Sequence, residues 1–136
     1  MTLRSMVLSL VLAVVCGSMV SCSQVLNAPM YQTGTISHVV VCYLKNHGNA
    51  ADRKKIVDAA RELRSLPGVY DIEVGYALPS DRPVVVSDFD VALVVTFRDE
   101  ASMKAYITNP KHQAMVKDLL TPLVAKYVVY DVVNQE

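Results

Sequence analysis

Few side chains in this sequence can move a proton near neutral pH: three histidines, His38, His47 and His112. A neutral imidazole can remove a proton beside a carbonyl, and a tyrosine hydroxyl can donate to the oxyanion that develops. Tyr106 precedes His112 across Asn109-Pro110, which ends a helix before the proline. Helical spacing therefore does not by itself bring those two rings together. His47 sits in the polar run Asn46-His47-Gly48-Asn49 and is expected in solvent. Asp88 and Asp90 flank Phe89 at a spacing that could suit a metal, but two carboxylates do not make a site, and a solvated strand start is the expectation. The three cysteines, Cys16, Cys22 and Cys42, form no disulfide framework. Cys42 lies in an apolar strand pattern and reads as a small buried hydrophobe. No Cys/His cluster at zinc spacing, P-loop or glycine-rich dinucleotide turn occurs, so neither metal nor cofactor is expected.

The elements that must position these residues follow from hydrophobic periodicity. Ser37 to Leu44 is β-branched and nearly continuous in apolar character, as in a strand covered on both faces. Asn49 or Asp52 can cap a helix carrying Ile56, Val57, Ala60 and Leu63, which Leu66-Pro67-Gly68 stops. Arg53-Lys54-Lys55 reads as the outer face of that helix. A strand from Val69 to Tyr76, a loop to about Ser87 and a strong strand from Phe89 to Phe97 follow. Asp99 caps a short helix, Glu100 to Ile107, and helical spacing resumes from Met115 to Leu123. Lys126 to Val133 is a last strand.

The order β-α-β-β-α-β, with the second helix in two pieces, predicts an α+β ferredoxin-like domain with a four-stranded antiparallel sheet. Right-handed crossovers place both helical segments on one face of that sheet. Yet His38, Val40, Cys42 and Leu44 oppose Val39, Val41 and Tyr43, so the first strand is apolar on both faces. An uncovered apolar sheet is unusual on a monomer, and a two-fold dimer packing sheet on sheet resolves it.

At 136 residues the chain is one domain, and its ends differ in character. Arg4, an apolar run from Met6 to Val15 and the small residues Gly17, Ser18 and Ser21 describe a secretory leader over residues 1–21. The run is too short to span a bilayer of about 30 Å. Met19-Val20-Ser21-Cys22 resembles a lipobox, which would make Cys22 the lipidated first residue and residues 22–36 a tether to a domain over 37–134. The expected location is the cell envelope, anchored in a membrane through lipid; the alternative is a secreted or periplasmic protein. Thirteen basic and thirteen acidic side chains balance, and Trp is absent, so nothing favours a nucleic-acid partner.

Several short motifs, in order, carry a family resemblance: His38 opening an apolar strand, Leu66-Pro67-Gly68-Val69 followed by Gly75, Phe97 before Asp99, Ala105-Tyr106-Ile107-Thr108-Asn109-Pro110-Lys111-His112, and the closing Tyr130-Asp131-Val132-Val133. From His38 to about Val133 the chain resembles the stress-responsive A/B barrel (Dabb) domain, a family of dimeric α+β barrels. The resemblance implies a homodimer of mixed-function relatives, including a plant polyketide cyclase that uses a Tyr and a His as acid and base. Those positions match Tyr106 and His112, with His38 as a pocket histidine, and related monooxygenases act without a cofactor on phenols. The helix facing the pocket here carries Lys55, Ile56 and Ala59 where the cyclase has aromatics, so the pocket differs in shape; Val40, Cys42, Ile56 and Ala59 are expected to line it.

Two functions stay open on the sequence. One is binding or processing of a small apolar carbonyl or phenolic compound by His38, Tyr106 and His112, without a cofactor and by cyclase-, lyase- or monooxygenase-like chemistry if turnover occurs. The other is a non-catalytic envelope protein acting through its dimer surface, in which His112 caps backbone, Tyr106 is a core ring and His38 holds the helical break to the sheet.

Overall fold

The structure, a computed structural model, describes residues 33–135. The leader, Cys22 and the tether up to residue 32 lie outside the described residues. Among the described residues no helix is long and apolar enough to cross a membrane.

Four strands, β1 (Ile36–Leu44), β2 (Val69–Gly75), β3 (Val91–Phe97) and β4 (Val124–Val133), form one antiparallel sheet in the order β2-β3-β1-β4. Helix α1 (Ala50–Glu62) joins β1 to β2. Helices α2 (Glu100–Ile107) and α3 (Pro110–Met115), a π-helical stretch (Val116–Leu120) and a last turn (Thr121–Leu123) join β3 to β4. Both connections lie on one face, as handedness requires. The second helical segment is thus broken at Asn109-Pro110, where expected. The chain also winds wider after Met115: the Thr121 amide donates to the Val116 carbonyl five residues back, and the Thr121 hydroxyl donates to the same oxygen.

Local chemistry sets the boundaries. The Asn49 side chain accepts from the Asp52 amide to start α1, Asp99 from Ser102 to start α2, and Asn109 from Lys111 to start α3 with Pro110 in its first turn. After α1 the chain reverses at Gly68, whose φ of +83° suits glycine. A Cβ there would lie 2.8 Å from the Ser102 Cβ, so the bare backbone lets the turn pack against α2.

The register sorts the sheet into two faces. His38, Val40, Cys42 and Leu44 turn toward the helices and are buried with Leu93, Val95, Phe97 and Ile72. On the other face Val39 stands beside Val94 and Tyr130, and Val41 beside Ala92 and Val128. No helix covers this second face. Its central valines are half-buried, Val86 and Phe89 of the β2–β3 loop reach Val41 and Val128 at one part of it, and Tyr130 is 58% exposed.

Three expectations need correction here. Phe89 does not belong to β3, which starts at Val91, and β4 starts at Val124 instead of Lys126. Asp90 is fully buried rather than a solvated strand start. Its carboxylate accepts from the amides of Leu44 and Gly48 (both 2.8 Å), from Arg53 Nε and Nη2 (3.0 and 2.8 Å) and from His47 Nδ1 (2.9 Å). Burial alone would raise this carboxyl, but the four groups together hold it far below the usual carboxylate range. Arg53 and His47 therefore do structural work, pinning the β1–α1 turn to β3, while much of the His47 ring remains in solvent.

A cavity between the helical break and the edge strand

Phe97 at the end of β3 and Tyr106 on the inner side of α2 stack with ring centroids 4.9 Å apart, both buried under the helices. Asn109-Pro110 then turns the chain so that α3 brings His112 back over Tyr106, centroid to centroid 4.4 Å. His38, third residue of β1, approaches the same tyrosine from the sheet at 6.4 Å. The three rings converge because the break between α2 and α3 replaces helical spacing with a reversal, and because β1 passes beneath it.

They stand on the wall of a cavity of about 210 Å³ between sheet and helices. Val40 and Leu93 form its floor, and Met115, Val116 and Leu120 its helical side. The mouth opens at β4, the edge strand, where Tyr127 and Val129 face inward beyond the reach of the helices and are 55% and 40% exposed. Of the four positions expected as lining, only Val40 is on the wall. Cys42 and Ile56 point into the packed core, and Ala59 borders a separate groove between α1 and α3. Helix α1 lies over β2 and β3, not over the β1–β4 side where the cavity is. The Cys42 thiol is pushed up to about 11 by burial and by the Asp90 carboxylate, so it stays protonated and inert.

Hydrogen bonds fix how each ring presents itself. His112 Nδ1 lies 3.2 Å from the Ile107 carbonyl near the end of α2. A carbonyl can only accept, so Nδ1 carries the hydrogen and Nε2 is left with a lone pair. Capping backbone and facing a cavity are thus two roles of one side chain. Burial, with some help from His38, lowers the His112 pKa despite the opposing pull of the carbonyl. The ring is neutral at physiological pH. Tyr106 is 2% exposed, and burial pushes its hydroxyl up to about 12, so it remains a donor. His38 Nδ1 lies 2.6 Å from Asp131 Oδ1.

Among the described residues no side-chain nitrogen or oxygen is fully buried without a partner. The Tyr106 hydroxyl, and Nε2 of His38 and of His112, bond to no described residue, so these atoms reach open space. For the buried His38 and Tyr106 that space is the cavity.

Asp131, for which the sequence suggests no role, bonds His38. It stands directly opposite His38 in the β1–β4 register, and side chains so paired share a face. The available signal was a lone charge in the otherwise apolar run Val128–Val133.

Comparison with known proteins agrees with this architecture. A crystal structure of a Dabb protein with a ferredoxin-like fold from Mesorhizobium loti is 31% identical, covering 76% of this chain and 99% of that one, with a TM-score of 0.62. A dimeric ferredoxin-like protein of unknown function from Thermobifida fusca is 19% identical over 76% and 93% of the two chains, TM-score 0.60. The hydroxynitrile lyase of Passiflora edulis shares the fold at 19% identity over 77% and 97%, TM-score 0.67. No curated protein matches the sequence. The family described as the stress responsive A/B barrel domain matches residues 36–134, and the chain belongs to that family.

Proposed function

We propose that this chain is an exported Dabb-domain protein, held at a membrane through Cys22, that binds and can process a small apolar carbonyl or phenolic compound in the cavity at β4. The observation that carries the reading is the convergence of His38, Tyr106 and His112 on one apolar cavity, each with a polar atom unclaimed by the protein. Buried polar groups normally find protein partners; two left open on one wall, on His38 and Tyr106, with His112 beside them, suit a ligand.

The geometry supports proton transfer without a cofactor. His112 Nε2 is the base, Tyr106 the donor to a developing oxyanion, and Asp131 holds the His38 ring in place. Because burial keeps His112 neutral and Tyr106 protonated, both are in the required state at neutral pH.

A homodimer belongs to the same reading. The uncovered valines of the outer face suit a second copy, and the Thermobifida relative is dimeric. Native mass spectrometry of the protein purified gently from its own host tests the proposal. A dimer carrying an extra small-molecule mass, absent from His112→Ala, is the expected result. An empty dimer in both would instead favour a purely structural role.

A further inference from the structure

Resting on that reading of the cavity, its walls define a narrower class of ligand. At about 210 Å³ the space is smaller than the roughly 300–1,000 Å³ of sites for drug-sized molecules, which limits the occupant to one ring or its equivalent. No lysine or arginine is on the wall. Asp131, the carboxylate bonded to His38, stands off the wall with its side chain 46% exposed. A buried anion would find no counter-charge on this wall, which disfavours it against a neutral compound of the same size.

The polar groups also have fixed senses. His112 must accept, because its hydrogen is spent on the Ile107 carbonyl. The Tyr106 hydroxyl has no described acceptor and is free to donate. Their rings are in contact, so one small molecule can meet both. The complement of a neighbouring acceptor and donor is a ligand with a hydroxyl near a carbonyl.

We infer that the cavity selects neutral, single-ring hydroxy-carbonyl compounds, with the ligand hydroxyl donating to His112 Nε2 and the ligand carbonyl accepting from Tyr106, and that it rejects carboxylates of the same size. The hydroxylated ligand makes a hydrogen bond where the bare ketone leaves the His112 acceptor unpaired. The hydroxyl is therefore expected to improve binding by about tenfold over the same ketone without it.

The test is calorimetric titration of the purified full-length protein with three probes: 2-hydroxyacetophenone, acetophenone and mandelate. The hydroxy-ketone is expected to bind about tenfold more tightly than acetophenone, and mandelate at least tenfold more weakly than the hydroxy-ketone. His112→Ala should bring the hydroxy-ketone down to the level of acetophenone. Tyr106→Phe, which keeps the core ring, should weaken both ketones and leave their ratio unchanged. Mandelate binding as tightly as the hydroxy-ketone, or a hydroxyl preference that survives in His112→Ala, would overturn the inference while leaving the cavity a binding site. Should none of the three probes bind, the inference and the reading beneath it fall together. If His112→Ala proves unfolded by circular dichroism, the mandelate comparison and Tyr106→Phe decide alone.

Discussion

At the scale of single residues, the site depends on protonation states set by surroundings. Burial and the nearby His38 both act against a charged His112, and only the Ile107 carbonyl favours it. By nuclear magnetic resonance, the His112 ring should titrate below the ordinary imidazole value of about 6.5; titration at or above it would contradict the placement. Asp90 works in the opposite part of the molecule and on stability alone. Removing it as Asp90→Ala strands the Leu44 and Gly48 amides and the Arg53 guanidinium, and should cost on the order of 3 kcal/mol in urea denaturation. Its folded carboxyl is depressed, so the unfolded chain takes up the proton first as pH falls. The stabilisation is complete above about pH 3.9 and is lost as pH drops below that toward the folded value, so the variant should lack that acid-dependent loss.

At the scale of elements, the junctions carry the design. Gly68 closes α1 against α2 with a left-handed backbone and no room for a side chain. Gly68→Ala should destabilise by more than about 1 kcal/mol, since strain and contact add; a neutral effect on the denaturation midpoint would show that the turn is looser than described. Strands and caps were legible in the sequence because each rests on a local signal. Val39–Val41 is a β-branched run and Val91–Val95 an apolar one, and Asn49, Asp99 and Asn109 each cap within three residues. The π-helical stretch was not legible, since Val116, Leu119 and Leu120 suit either winding and the deciding bond joins Thr121 to a carbonyl five residues earlier. The partners of Asp90 and Asp131 were hidden for another reason. Asp131 meets His38 by strand register across 93 residues and Asp90 meets Arg53 of α1 across 37, and no local pattern encodes either pairing. The same limit explains the misplaced pocket wall: Ile56 and Ala59 are expected there from a helix facing the pocket, whereas α1 lies over β2 and β3, and Cys42 packs in the core.

At the scale of the whole molecule, one sheet serves two purposes. Its inner face builds a core and, where the helices stop short of β4, a cavity; its outer face offers valines and tyrosines to a second copy. A charge in the middle of that outer face, Val94→Glu, should convert a dimer to a monomer by light scattering while leaving the far-ultraviolet spectrum intact; an unchanged mass would place the interface elsewhere. The central claim is that the cavity, and not the outer face, receives a small ligand. Its most direct test is a methyl-resolved magnetic resonance titration of the protein with acetophenone. Shifts confined to Val40, Leu93, Val116, Leu120 and Val129 around the cavity are expected, with Ile56 and Val57 of the core still. No shift at saturating probe, or shifts centred on Val39, Val94 and Val128, would contradict the account.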